Sequence, residues 1–231
     1  MKSDELAERF KRDGVVIIPD FFNADELAAM NAVIDTLLEK PAVATKCSDF
    51  YVKNYQTEVD GLGVKASEHP AFTSFQSHAR MKEATCAALG GAYVDEYLLV
   101  QCTRQGTGQA WHQDSSDPVN FVLNRLIYTR DIAPENGQIV VVPGSIHRGR
   151  IPPGGHQDPI PGEVALAPKA GTLVLMSTYC WHRVTINTTA TPRVSVNYRV
   201  RPQSAPEGLT AVAHFRNGTY DFRAKAQVGT Q

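Results

Sequence analysis

Residues 97–118 read YLLVQCTRQGTGQAWHQDSSDP, a β-rich run that leads through Gly106 and Gly108 to a His-x-Asp triplet. Further short runs of β type follow, separated by Gly, Pro and Asn clusters: VNFVLNRLIYT, GQIVVVPG, EVALAP, GTLVLMSTYCW and RVSVNYRV. Many short strands with turn residues between them indicate a sandwich or a barrel. We therefore predict a mainly β core from about residue 96 to about residue 202.

The first hundred residues have a different, more helical pattern. A helix is expected from about Asp4 to Arg12, followed by the brief strand VVIIP. Asn23 with Glu26 three residues later forms a capping-box pattern, which predicts the start of a second helix. Another helix is expected from about Lys82 to Leu89. We expect these helices to cover one face of the β core.

We predict one domain over residues 1–231, because no linker is long enough to divide the chain. Its helical part covers about residues 1–95, and a C-terminal extension covers about residues 203–231. The boundary near residue 96 is the point where helical spacing gives way to short β-type runs.

The bulk composition excludes several classes of partner. The 231 residues carry a formal net charge of −1, which argues against nucleic acid or an anionic membrane as an obligate partner. The longest apolar runs are the size of a strand, and the charged N-terminus MKSDELAERFKRDG resembles no secretory signal. Four cysteines without a CxxC pair are typical of reduced thiols. We expect a cytoplasmic protein, a monomer or homodimer, that acts on a small molecule.

The triplet at residues 112–114 predicts a metal site. Residues i and i+2 of an extended strand point to the same side, so His112 and Asp114 can reach one ion while Gln113 faces away. The third ligand must come from elsewhere, and His182 in STYCWHRVTINTTATPR is the natural candidate. Two histidines and one carboxylate form the facial triad that binds non-haem Fe(II) and leaves coordination positions open.

An arginine, Arg193, follows the distal histidine, His182, in the sequence. We predict that residues 182 and 193 lie on two strands of a hairpin that turns about Thr188 and Thr189, so that Arg193 lies across from His182. A guanidinium there can bind a carboxylate through two charge-assisted hydrogen bonds, worth about 1.5–3 kcal/mol each. Strict alternation in RVSVNYRV places Ser195 on the same face as Arg193, where its hydroxyl can donate to the same carboxylate.

These motifs give the chain a resemblance to a known family. A His-x-Asp, a distal His and an Arg shortly after it resemble the pattern of the phytanoyl-CoA dioxygenase family. The opening F…DGVVIIPDFFNADEL and the segment ENGQIVVVPGSIHRG are similar to the corresponding regions of that family. The resemblance covers nearly the whole chain and is densest from Gln101 to Arg199.

The resemblance implies a fold and a reaction. The fold is a double-stranded β-helix, or jelly roll, with the N-terminal helices packed on one sheet. His112, Asp114 and His182 would bind Fe(II), and Arg193 would bind the far carboxylate of 2-oxoglutarate. Gln101 and Thr103 match positions that line the co-substrate pocket. With O2 as second co-substrate, the enzyme would hydroxylate a C–H bond of a small polar metabolite and release succinate and CO2.

Other polar residues are candidates for contact with the substrate. Tyr51, Lys53 and Arg150 are candidates for the mouth of the barrel, and the alternative for each is an ordinary surface-loop residue. His147 and Arg148 follow a Pro-Gly turn. The two alternatives for them are a grip on the substrate, or a structural histidine beside a solvated arginine.

Two other functions fit the same scaffold. One is a jelly-roll metal enzyme that does not use 2-oxoglutarate and therefore needs no arginine at residue 193. The other is a catalytically silent ligand-binding protein, in which a metal ligand is usually lost. This sequence retains all three predicted ligands and the arginine, which favours the 2-oxoglutarate-dependent enzyme.

Overall fold

The computed structural model describes residues 1–39, 69–115, 122–152, 157–206, 211–216 and 219–224. Tyr51 and Lys53 lie outside these ranges. In the described part of the chain, no helix has the length and apolar character needed to cross a membrane.

A five-stranded antiparallel sheet, here called the major sheet, forms one wall of the fold. Its strands follow the order β1-β7-β4-β9-β2. Their bounds are β1 Val15–Ile18, β7 Thr172–Ser177, β4 Leu123–Tyr128, β9 Arg193–Pro202 and β2 Tyr93–Thr103. Every strand neighbour in the sheet is antiparallel, as expected where consecutive short strands are joined by turns.

Four helices pack on the outer face of the major sheet. They are α1 Ser3–Asp13, α2 Ala24–Leu38, α3 Pro70–Gln76 and α4 Ala79–Leu89. The apolar side chains of β9 that face them are Val194, Val196, Tyr198 and Val200, all in one cluster with helix residues such as Phe10, Met30 and Phe72. The predicted packing of N-terminal helices on one sheet is confirmed.

Local signals define where these helices begin and end. Asn23 and Glu26 exchange reciprocal hydrogen bonds of 2.8 and 2.9 Å, which is the predicted capping box. Gly14, in the left-handed region at φ 71°, ends α1 as expected. Helix α3 was not predicted, because its seven residues are too few for a helical repeat to stand out.

A four-stranded antiparallel sheet, here called the minor sheet, forms the opposite wall. Its order is β3-β8-β5-β6, with β3 Gln109–His112, β8 His182–Val184, β5 Ile139–Val141 and β6 Val164–Leu166. An apolar cluster between the two sheets joins Leu126 and Tyr128 of β4 to Ile139 and Val141 of β5. Together, the two sheets and the helices on one face form the predicted jelly roll.

The C-terminal extension contains a hairpin that the sequence did not indicate. Strand β10, Ala211–Arg216, pairs antiparallel with β11, Thr219–Ala224. The prediction that residues 1–231 form a single domain stays a prediction.

Gly171, at the start of β7, holds the N-terminal segment against the major sheet. Its carbonyl accepts hydrogen bonds of 2.9 Å from the backbone N–H groups of both Phe21 and Phe22. A Cβ added at this position would lie 2.1 Å from the Phe22 carbonyl oxygen, and φ is +85°. Only glycine fits, because both the steric contact and the left-handed backbone exclude a side chain.

We therefore expect Gly171→Ala to lower the free energy of unfolding by more than about 3 kcal/mol, measured by urea denaturation. Gly90→Ala is the control, since φ is +72° there and a Cβ meets nothing within 4 Å. It should cost about 1–2 kcal/mol, the strain of the left-handed conformation alone. Equal losses for the two variants would refute the close approach at Gly171.

Candidate metal centre

Two histidines face each other across adjacent strands of the minor sheet. His112 ends β3 and His182 begins β8, and their Cα atoms are direct partners in the ladder. Directly opposed residues share a face, so both imidazoles point between the sheets. They are 2% and 4% exposed, and their ring centroids are 4.0 Å apart.

The backbone fixes the tautomer of both rings. Nδ1 of His112 lies 2.8 Å from the Ala110 carbonyl oxygen, and Nδ1 of His182 lies 2.8 Å from the Cys180 carbonyl oxygen. A carbonyl can only accept, so each Nδ1 must carry the proton. Each Nε2 is then left with the lone pair that a metal ligand requires.

Asp114 completes a compact group of three ligands. One atom from each of His112, Asp114 and His182 lies within 4.8 Å of the others. Oδ1 of Asp114 is 3.5 Å from Nε2 of His112, and Oδ2 is 3.8 Å from Nε2 of His182. The Asp114 backbone N–H donates to the Thr178 carbonyl at 2.7 Å, which anchors the loop after β3. The structure thus brings the three predicted residues together.

The charge state of the group suits a divalent cation. Burial opposes ionisation of Asp114, yet the Arg199 guanidinium and the nearby histidines outweigh it and hold the pKa well below its usual range. Burial, reinforced by His112, lowers the pKa of His182 to about 3. One carboxylate and a neutral His182 are the protonation states that bind metal.

Arg193 reaches the interior from the opposite wall. It is 2% exposed, and its Nη2 donates to the Tyr128 hydroxyl at 2.9 Å. Its Nε and the Ser195 hydroxyl are buried and have no hydrogen-bond partner in the part of the chain that the structure describes. Unpartnered buried polar groups are costly, so two of them side by side indicate a place for a polar ligand.

The predicted hairpin between residues 182 and 193 is wrong. Strand β8 pairs with β3 and β5 in the minor sheet, whereas β9 pairs with β2 and β4 in the major sheet. The residues between them cross from one sheet to the other. Arg193 therefore faces the ligands across the interior, and its ladder partner is Thr103.

Gln101 and Thr103 lie beside the arginine. Gln101 is the ladder partner of Ser195. Since directly opposed residues share a face, all four side chains belong to the same inner face of the major sheet. Their role in binding a co-substrate stays a prediction.

The structure gives His147 and Arg148 partners outside this group. Nε2 of His147 lies 3.0 Å from the Lys11 carbonyl oxygen at the end of α1. Arg148 stacks over Trp181, 4.5 Å from the ring centroid. Trp181 packs with Trp111 and Val140 on the outer face of the minor sheet. Arg148 thus lies on the opposite face of that sheet from the imidazole of His182.

Arg150 lies in a loop anchored to the same outer face. Its neighbours Gly149 and Ile151 bond through their backbone to the side chain of Gln113, at 3.2 and 2.9 Å. Gln113 therefore faces away from the metal ligands, as predicted, and secures this loop. The alternative of a structural histidine fits the bond of His147 to Lys11, and contact of His147, Arg148 and Arg150 with a substrate stays a prediction.

Residues that the sequence analysis missed surround Asp114 and Arg193. Asn124 donates to Oδ2 of Asp114 at 2.8 Å, and Arg199 donates to the same oxygen at 2.5 Å. Tyr128 holds Arg193. The alternation in LNRLIY was the available signal, because it places Asn124, Leu126 and Tyr128 on one face.

The chain is similar to several known proteins. A family model described as phytanoyl-CoA dioxygenase matches residues 10–195. The ectoine dioxygenase of Stutzerimonas stutzeri (strain A1501) is 28% identical over 155 residues, which is 61% of this chain and 49% of that protein. The ectoine dioxygenase of Sphingopyxis alaskensis is 24% identical and matches over 50% of its own length. The chain thus spans about half the length of these curated relatives.

Solved structures share the fold. The α-ketoglutarate-dependent epimerase SnoN from nogalamycin biosynthesis superposes with a TM-score of 0.66 at 20% identity, covering 94% of this chain and 84% of that one. HygX from Streptomyces hygroscopicus, solved with nickel, 2-oxoglutarate and hygromycin B, gives a TM-score of 0.69 at 14% identity and covers 88% of both chains. Both are similar to this chain in architecture.

We expect Asp114→Ala and His182→Ala each to weaken Mn(II) binding by at least about a hundredfold, because each removes one of three ligand atoms. Calorimetric titration of the metal-free protein measures the affinity. His147→Ala is the matched control and should bind like the wild type, since its ring bonds to Lys11 on the end of a helix. Unchanged affinity in either ligand variant would refute the assignment.

Proposed function

Because the chain belongs to the phytanoyl-CoA dioxygenase family, we propose that it is an Fe(II)- and 2-oxoglutarate-dependent dioxygenase. The observation that carries the proposal is that a group of metal ligands and a buried arginine lie on opposite sides of the space between the two sheets. His112, Asp114 and His182 converge on one side, and a buried arginine with an unpartnered Nε lies on the inner face of the opposite sheet.

The donor set fits iron. Two imidazole nitrogens and one carboxylate oxygen are the facial triad of non-haem Fe(II) oxygenases, and sulfur ligands for zinc or copper are absent from the group. In both histidines Nδ1 bonds to a backbone carbonyl, which leaves Nε2 to serve as the ligand atom. We assign His112, Asp114 and His182 as the three iron ligands.

The arginine fits 2-oxoglutarate. In the described ranges, no carboxylate forms an ion pair with Arg193, and its only hydrogen bond in them is to a neutral phenol. A buried guanidinium without an anionic partner is strongly disfavoured, which supports an anionic ligand at this point. Arg193 and Ser195 would donate to the far carboxylate of the co-substrate, with Gln101 and Thr103 beside it.

When bound, iron and 2-oxoglutarate supply an oxidant from O2, with release of succinate and CO2 and insertion of one oxygen atom into a substrate C–H bond. The protein's own part is to hold the three ligands on the minor sheet and the co-substrate carboxylate on the major sheet. Burial of both histidines and of Arg193 keeps bulk water from these groups.

The substrate we propose is a small polar metabolite. Asn197, 4% exposed, points inward from β9, and its Oδ1 has no partner among the described residues. That oxygen is an acceptor, so it favours a ligand with an N–H or O–H group. The likeness to ectoine dioxygenases supports a small-molecule substrate. The expected cytoplasmic location, the monomer or homodimer and the lack of a nucleic-acid partner stay predictions.

Anaerobic titration of the metal-free protein with Fe(II) and then 2-oxoglutarate should produce a weak charge-transfer band in the visible region. Arg193→Lys should raise the 2-oxoglutarate concentration at half-saturation by about 10–100-fold, because lysine cannot supply the two-pronged contact. Arg125→Lys is the matched control, a buried arginine of the same sheet that bonds to Tyr198 and Asp95 instead.

Iron binding without the band would favour a jelly-roll metal enzyme that does not use 2-oxoglutarate. Failure of the wild type to bind iron would favour a silent ligand-binding protein. An Arg193→Lys variant with unchanged half-saturation would refute the role of the arginine.

A further inference from the structure

Besides His112 and His182, two further side chains contact the carboxylate of Asp114. Arg199 donates through Nη2 to Oδ2 at 2.5 Å, and Asn124 donates through Nδ2 to the same oxygen at 2.8 Å. Arg199 is 2% exposed and Asn124 is 1% exposed, so both bonds are shielded from water. Charge-assisted bonds of this length are the strongest that side chains form.

A third hydrogen bond joins the two donors to each other. Nε of Arg199 donates to Oδ1 of Asn124 at 2.8 Å. The carboxylate can only accept and the guanidinium can only donate, so the Asn124 amide has one possible orientation. Asn197 extends the chain, since its Nδ2 donates to the same Oδ1 at 3.0 Å. Arg199, Asn124 and Oδ2 of Asp114 are thus joined to one another in one hydrogen-bond network.

The network also joins the two sheets. Asp114 follows β3 of the minor sheet, whereas Asn124 and Arg199 are ladder partners on β4 and β9 of the major sheet. The two histidine ligands belong to the minor sheet. The carboxylate is thus the one ligand whose position depends on both walls of the barrel.

We propose that Arg199 and Asn124 are positioning residues that hold Asp114 as a ligand through one oxygen and limit its electron donation to the metal. The proposal rests on the proposed function. With Oδ2 engaged by two donors, Oδ1, 3.5 Å from Nε2 of His112, is the oxygen left for the metal. A carboxylate bound through both oxygens would occupy one of the three open positions.

Binding of Asp114 through one oxygen matters because it would keep coordination positions of the metal open for the co-substrates. With iron and 2-oxoglutarate bound, the co-substrates would need the positions that the three ligands leave open, so a second oxygen from Asp114 would compete with them. The positive charge of Arg199 also draws electron density from the carboxylate, which makes it a weaker donor.

Two variants separate the positioning role from a structural one. Asn124→Leu removes a donor without changing charge, and we expect Mn(II) affinity to fall about 10–100-fold, as for other residues that orient metal ligands. Arg199→Gln removes the charge, and the charge-transfer band of the Fe(II)–2-oxoglutarate complex should move to longer wavelength. Arg199→Lys, which keeps the charge, should leave the band near its wild-type position.

Arg125→Gln is the control for buried arginines. Arg125 is fully buried in the same sheet, but its guanidinium bonds on the outer side to Tyr198, Tyr93 and Asp95. The Arg125→Gln variant should have a lower urea midpoint of unfolding. Its charge-transfer band and its Mn(II) affinity should be unchanged. If Asn124→Leu and Arg199→Gln behave in the same way, the positioning role is refuted.

The use of 2-oxoglutarate and the positioning role of Arg199 and Asn124 can be refuted independently of each other. Absence of the band in wild-type protein that has bound iron overturns the use of 2-oxoglutarate, but the Mn(II) affinity of Asn124→Leu still decides the positioning role. Should Arg199→Gln not fold, the uncharged Asn124→Leu variant gives the same decision by itself.

Discussion

Strand β9 has to satisfy two environments at once, and the rest of the molecule is arranged around that constraint. One face packs Val194, Val196 and Tyr198 against the helices. The other carries Arg193 and Arg199 into the space between the sheets, where both are buried. A slip of one residue would exchange the two faces of β9, which would bury charge against the helices and remove the polar side chains of β9 from the interior.

The two inward arginines of β9 differ in how their charge is balanced. Arg199 meets the carboxylate of Asp114 at 2.5 Å. Among the described residues, Arg193 donates one hydrogen bond, to the hydroxyl of Tyr128, and its Nε has no hydrogen-bond partner. Transfer of a charge out of water costs several kcal/mol unless a partner compensates for it. The charge of Arg199 is therefore balanced within the fold, whereas the charge of Arg193 has no anionic partner among the described residues.

Short-range patterns in the sequence predicted what they physically determine. The capping box at Asn23, the alternation of β9 and the shared face of two residues in the His-x-Asp triplet all depend on neighbours along the chain. The hairpin between residues 182 and 193 failed because a turn rich in Thr and Asn fits both a hairpin and a crossing between sheets. Asn124 and Tyr128 were missed for a related reason. Their importance depends on β4 lying beside β9, which is a long-range contact.

The three proposed ligands are fixed by different means, and this difference has a chemical consequence. His112 and His182 each bond through Nδ1 to the carbonyl two residues earlier, Ala110 and Cys180. Backbone carbonyl groups therefore orient both rings. Among the described residues, the carboxylate of Asp114 accepts hydrogen bonds from side chains of the other sheet, Asn124 and Arg199. Side-chain substitutions can thus alter the electron donation of the carboxylate while the imidazole ligands stay in place.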